Sequence, residues 1–319
     1  MSTTNLPFPT TLQEAMVYFA DPKRGLDFMV SLRWPNGKVT CPHCQSEKVS
    51  FLSTRSKWKC MACHKQFSAK VGTLFEDSAL GYDKWFPAMW LIVNAKNGIS
   101  SYEIGRALGV TQKTAWFMLQ RIRLAMQTGT FEKLKGDVEV DETYIGGLAK
   151  NMHMRKRLKR ITATGSLNKV AVIGFLERGG RARAAMLKEP TREIMDPLVR
   201  QTVKKGSRVL TDEHTGYFRL KDEYRHQFVR HRETYVNGDV HTNNIENFWS
   251  LLKRTLRGTY VSVDPVHLSR YLDEQMFRFN ERKDCDAGRF LKAVSGVVGK
   301  SLTYLDLMKG KGGEDLLPA

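Results

Sequence analysis

Apolar residues near the start of the chain recur at helical spacing: Leu12, Ala15, Met16 and Phe19, then Leu26, Met29 and Leu32, on either side of Asp21-Pro22. The spacing predicts two short packing helices separated at the proline. Residues 83 to 97, DKWFPAMWLIVNAKN, are dense in aromatic and aliphatic side chains and predict a buried helix with Pro87 near its first turn. Beyond Gly98, Ser100 or Ser101 can cap a helix through Leu108. Gly109 makes the turn, and Thr111 caps a second helix carrying Ala115, Met118, Leu119 and Ile122. This is a helix-turn-helix pattern, with an ordinary helical hairpin as the alternative.

The periodicity then changes from helical to alternating. In VEVDETYIGG, residues 138 to 147, Val138 and Val140 alternate with Glu139 and Asp141, and Thr143, Tyr144 and Ile145 extend a half-buried strand. Gly146 and Gly147 allow a turn. KVAVIGFLER (169 to 178) and RARAAMLKE (181 to 189), joined at Gly179-Gly180, predict a hairpin that extends the sheet. A helix is expected from Thr191 to Val203, followed by the short strand SRVLTD with Asp212 at its carboxyl end, where open α/β sheets build sites. In residues 241 to 260, Ile245, Phe248, Trp249, Leu252 and Leu256 fall on one helical face, with Glu246, Lys253 and Arg257 on a neighbouring stripe. A further amphipathic helix spans 265 to 283, a weaker one 290 to 308, and the tail KGKGGEDLLPA is too Gly-rich and polar to pack. The expected class is α/β, a mixed sheet flanked by helices.

Charge narrows the partners. Lys plus Arg number 51 against 33 Asp plus Glu, a net +18, and the excess is clustered, which points to a nucleic acid. Six basic residues between Leu148 and Asn168, among them Arg155, Lys156 and Arg157, have no acid between them; they suit either a solvated loop or a DNA backbone contact. No run of 18 apolar residues exists, so no membrane span is expected. The amino-terminal stretch lacks the features of a secretory signal, so a cytoplasmic location is expected.

In a reducing compartment, paired cysteines suggest metal, not disulfides. Cys41 and Cys44 are followed, after fifteen intervening residues, by Cys60 and Cys63. Two CxxC knuckles can place four thiolates around one tetrahedral zinc ion, and four filled positions make it structural. His43 and His64 adjoin the ligands but are expected to be exposed rings, and unpaired Cys285 an inert thiol. Lysines around the knuckles make the ribbon a DNA contact, while Gln112, Lys113, Arg121 and other basic residues of the second helix would meet a major groove.

An Asp on a central strand, an Asp ending another and a Glu on a following helix can converge in one cleft. Such carboxylates suit Mg²⁺ or Mn²⁺ and phosphoryl transfer with paired cations. Glu213 and His214 could support Asp212. Asn243 and Glu246 also match an N-x-x-E capping box, so Glu246 could simply secure a helix start.

In this order the four-Cys ribbon, the helix-turn-helix, VEVDETYIGG, VLTDEHTGY and HTNNIENFWSLLKRTLRGTY resemble the bacterial insertion-sequence transposases of the ISXO-like group. The likeness runs from about Leu12 to Arg282. It implies a ribonuclease-H-like catalytic domain with Asp141 and Asp212 as its two catalytic aspartates and Lys253 as the basic partner of the third position. Relatives use Glu or Asn there; Glu246 is favoured for its charge and for Lys253, with Asn243 the alternative. Arg254 and Arg257 would join the DNA contacts.

The implied organisation is N-terminal helices (1–38), zinc ribbon (39–75), helix-turn-helix domain (76–130), catalytic domain (131–300) and tail (301–319). Implied too are Mg²⁺-dependent cleavage at double-stranded terminal repeats, strand transfer into target DNA, a homodimer or larger complex on DNA, and a nucleoid-associated location. A transcription regulator without catalysis and a nuclease that cuts without joining are the competing readings.

Overall fold

The computed structural model describes residues 7–127, 132–146, 154–155, 169–212, 215–229 and 239–308. They divide into two compact units, residues up to 128 with 283–312, and residues 129–282.

In the first unit, Leu12–Ala20 (α1) and Pro22–Arg33 (α2) meet at Asp21-Pro22, where the Asp21 carboxylate accepts from the Lys23 amide. Val49–Leu52 (β1), Lys57–Cys60 (β2) and Gln66–Phe67 (β3) form an antiparallel sheet carrying the ribbon. Tyr82–Asn94 (α3) is the buried helix foreseen around Pro87, with Trp85, Phe86, Met89 and Trp90 all inside.

Ser101–Leu108 (α4) opens with a complete capping box from Ser100 and Glu103 and ends at Gly109, whose φ of 64° is the left-handed turn. Gln112–Ala125 (α5) follows after Thr111, which accepts from the Thr114 amide.

The chain later returns to this unit. Asp286–Ser295 (here α9) inserts Phe290 among Phe19, Phe86 and Trp90, with ring centroids 5.1 to 6.1 Å apart. Val298 bridges to Thr73, and Tyr304–Met308 (α10) follows. The catalytic domain had been expected to run to 300. Residues 283–308 cluster with the first unit, where Phe290 completes an aromatic core that the N-terminal helices leave open.

The second unit is built on a five-stranded mixed sheet. Its strands are Asp137–Ile145 (β4), Val170–Glu177 (β5), Ala182–Leu187 (β6), Arg208–Asp212 (β7) and Arg225–Val229 (β8), ordered β6-β5-β4-β7-β8. The hairpin expected at Gly179-Gly180 joins β5 to β6, and β7 and β8 run parallel to β4. Alternation sorts the two faces: Val138, Val140, Ile173 and Phe175 pack with Met195 and Val199 of Arg192–Thr202 (α6). Val172, Leu176 and Ala184 pack with the apolar stripe of Asn243–Gly258 (α7) and with Leu268–Asn280 (α8). This second face of β4 carries Glu139, Asp141 and Thr143.

Truncating Phe290 leaves a void among five aromatic rings. Phe290→Ala is expected to lower the unfolding free energy of the first unit by about 3–5 kcal/mol, read as a shifted urea midpoint in tryptophan fluorescence. An unchanged midpoint would remove the returning helix from that core.

Candidate active site and metal centre

The two CxxC knuckles have the same backbone geometry. The amide of Cys41 donates to the Ser46 carbonyl and that of Cys60 to the Lys65 carbonyl, both at 2.9 Å. Gln45 and His64, the residues after each second cysteine, take left-handed φ values of 61° and 60°. The turns aim all four sulfurs inward, with Cys41 and Cys63 Sγ 3.7 Å apart and Cys44 and Cys60 Sγ 3.5 Å apart. Thiolates bound at about 2.3 Å around one tetrahedral ion lie about 3.8 Å from each other, so this set fits zinc with little adjustment. The Cys63 and Ala62 amides pull the Cys60 thiol down to about 6. Cys44 is pulled down by the Ser46 amide but pushed up overall to about 12 by its bonds to the neighbouring sulfurs and by burial. One cation shared by the four sulfurs removes that conflict.

At the second site, β4 sits mid-sheet beside β7. Their parallel ladder pairs Asp137–Glu139 with Arg208–Leu210, and the same register continued by two residues sets Asp141 beside Asp212. Carboxylate oxygens of Asp141, Glu142 and Asp212 all lie within 4.8 Å of one another. An Mg²⁺ with bonds of about 2.1 Å holds opposite ligands about 4 Å apart, so a small rotation of these side chains would close on one ion.

The electrostatics of the acids agree with this fit. Burial, then the Asp212 charge, raises Asp141 to about 6. Burial raises Glu142 to about 8 against the Tyr217 hydroxyl, which donates to its Oε1, and the Asp212 and Asp141 charges add to the rise. Tyr217 is itself buried and held well above its ordinary value.

Helix α7 supplies the other wall of a cavity of about 620 Å³. Its face contributes Glu246, Trp249, Ser250, Lys253, Arg254 and Arg257, opposite Asp141, Glu142 and Thr143 of β4. Burial and the Arg257 charge lower Lys253, while Asp141 opposes that shift.

The helix start differs from the N-x-x-E box. Thr242 is the N-cap, its side chain gives no capping bond to the backbone, and it donates instead to Glu246 Oε1 at 3.2 Å. The cap comes from the sheet: Glu139 Oε2 accepts from the amides of Asn244 at 2.9 Å and Ile245 at 3.0 Å. Glu139 Oε1 accepts from Asn244 Nδ2 at 2.7 Å and Arg178 Nε at 2.8 Å, and the carboxylate is fully buried.

The structure thus brings Asp141, Asp212, Glu246, Lys253, Arg254 and Arg257 to one region, with Asp212 placed by its distance to Asp141 and the others lining the cavity. Asn243 is exposed at the first position of α7 and is not among the lining residues. Gln112 and Lys113 are exposed at the start of α5, and Arg155 is exposed.

Arg121 was expected to face DNA. It is 8 % exposed and donates to the carbonyls of Leu74, Glu76 and Leu302, because the later turns of α5 are core. Lys156, Arg157, Glu213 and His214 lie outside the described residues.

Three participants escaped the sequence reading. Strict alternation assigns Glu142 to the face opposite Asp141, yet both reach Asp212 at the end of β7. Trp249 reads as core from its spacing but also hydrogen-bonds Asp141. Glu139 has no sequence signal linking it to a helix more than 100 residues away.

Residues 133–280 match the model of the ISXO2-like transposase domain, and residues 24–66 that of the transposase zinc-ribbon domain. An uncharacterized protein in transposable element ISH50 of Halobacterium salinarum is 30% identical over 267 residues, covering 80% of this chain and 89% of that protein. The chain belongs to the ISXO2-like transposase family. Among the described residues no helix is long and apolar enough to cross a membrane.

Two outcomes follow. The purified chain should carry one zinc equivalent, released by thiol modification and absent from Cys60→Ser; a zinc content unaffected by that substitution would overturn the centre. Without a divalent cation, the raised Asp141 and Glu142 bind more protons folded than unfolded, where carboxyls titrate near 4. Their contribution to stability is therefore present below about pH 4 and lost as pH rises through 6 and 8. In EDTA, Asp212→Asn should raise the melting temperature more at pH 8 than at pH 5, and Mg²⁺ should shrink that difference. An Asp212 effect independent of pH would contradict the coupling.

Proposed function

We propose that this chain is the transposase of an insertion sequence, binding double-stranded terminal repeats and carrying out cation-dependent cleavage and strand transfer. The observation that carries the reading is the meeting of the Asp141, Glu142 and Asp212 carboxylates within 4.8 Å, beside a cavity walled by Lys253, Arg254 and Arg257. Acids that repel one another in a half-buried site suit hard divalent cations, and adjacent fixed cations suit a phosphodiester backbone. The ribonuclease-H-like assignment draws support from the mixed sheet, whose first strand lies centrally and carries the first acid.

In this scheme Asp141 and Asp212 hold Mg²⁺ or Mn²⁺, and the third carboxylate comes from Glu142 or Glu246, both of which line the cavity. The bound ion would stabilise charge on the attacking and leaving oxygens of an in-line displacement. Lys253 steadies the phosphate, Arg254 and Arg257 hold flanking backbone, and Trp249 with the walls of the site limits water.

Gln112 and Lys113, exposed at the amino end of α5, are placed to meet bases in a helix-turn-helix mode, and Lys57 and Lys59 project from the exposed side of the ribbon. Joining two ends needs two active sites, so the working form is a dimer or larger assembly on DNA, in the cytoplasm with the nucleoid.

Purified protein incubated with end-bearing DNA and Mg²⁺ should yield joined molecules. Cleavage alone would make it a nuclease, and DNA binding without any product would make it a regulator. Asp212→Asn should keep its gel shift and lose strand transfer by at least about 10³-fold, the scale of removing a central electrostatic group; unchanged joining would exclude Asp212 from the site.

A further inference from the structure

Asp141 has a partner on the helix across the cavity. The Trp249 indole Nε1 donates to Asp141 Oδ2 at 3.0 Å. Trp249 lies one turn beyond Glu246 on α7, and the ring is 4 % exposed, so the bond is shielded from water. Room for it depends on the neighbouring strand. Gly174 pairs with Asp141 across the β4–β5 ladder, and a Cβ there would stand 2.4 Å from Trp249 Cζ2 and 2.6 Å from Cη2. No side chain fits that position without moving the indole, although the backbone at Gly174 is an ordinary strand.

We propose that Trp249 is a positioning residue for Asp141: its indole N–H engages one carboxylate oxygen and presents the other to a divalent cation, and Gly174 is required to admit the ring. The inference rests on the reading that Asp141 is a cation ligand. An indole N–H is a donor only, so it engages the ionised carboxylate without offering a competing acceptor to the metal. A ligating carboxylate whose second oxygen is already hydrogen-bonded has lost its alternative rotamers before the ion arrives. Apolar packing alone accounts for a large side chain at position 249, since Ile245, Phe248 and Leu252 fill the same face. It does not account for a polar edge placed on the site acid.

Mn²⁺ binding to the full chain, followed by the electron paramagnetic resonance of free Mn²⁺, tests the inference apart from catalysis. Trp249→Phe and Gly174→Ala should each weaken Mn²⁺ binding by about 10- to 100-fold, the range for lost outer partners of metal ligands, while each variant still melts cooperatively and carries its zinc equivalent. Trp249→Phe binding Mn²⁺ as tightly as the native chain would overturn the role of Trp249 and leave the proposed function standing. No Mn²⁺ binding by the native chain would overturn the metal reading beneath it. Should either variant fold poorly, ¹⁵N-tryptophan labelling of the native sequence decides: of its six indole N–H signals, one should shift on adding Mg²⁺ and also in Asp141→Asn. If none does, the positioning role is refuted.

Discussion

The second unit depends on one buried carboxylate. Glu139 leaves the centre of the sheet and takes the first free amides of α7, with Arg178 as its counter-charge and Asn244 as a second donor. The positive end of a helix dipole and a carboxylate meet there, out of water, with donor–acceptor distances of 2.7 to 3.0 Å. Removing one partner of such a buried set leaves the other uncompensated, a loss of about 3–5 kcal/mol. Because Asp141 lies two residues along the same face of β4, this contact also sets the distance from the first acid to everything α7 carries.

That anchoring explains how an electrostatically unfavourable cluster persists. Three carboxylates crowd where β7 ends beside the middle of β4, and their charges oppose one another. Hydrophobic packing on both faces of the sheet and the Glu139 cap supply the stability that the cluster removes. The raised acids are the residue of that opposition, and a divalent cation would relieve it.

Much of this was legible in the sequence where local chemistry decides structure. Cysteine spacing, the serine cap before Leu108's helix, the Gly109 turn and the Gly179-Gly180 hairpin are all short-range signals, and each appears in the structure. The change from helical to alternating periodicity located β4, and with it Asp141. What the sequence hid is long-range. Glu139 and its helix are separated by the whole sheet, Phe290 completes a core begun at Phe19, and Arg121 looks like a surface base-reader until three carbonyls from distant turns enclose it. Glu142 was lost to the rule of strict alternation: it stays paired with Ile173 inside the β4–β5 ladder, and only its distance to Asp212, the last residue of β7, reveals that it joins the cluster. Strand β8 lacks a strong apolar run and is held by parallel pairing to β7 alone among its neighbours in the sheet.

The distribution of charge along α7 separates two tasks that would otherwise cancel. A helix rises about 1.5 Å per residue, so Lys253 stands about 10 Å and Arg257 about 16 Å along the axis from Glu246. Cations at Asp141 itself would neutralise the acids and displace any metal. Set about two and three turns beyond Glu246, they leave the carboxylates their negative field while making the same cavity attractive to a polyanion. Under the proposed function, the acids then serve the reacting phosphate and the cations its neighbours on the strand. One helix, docked at its start by Glu139 and at its second turn by Trp249, holds both in register with the sheet.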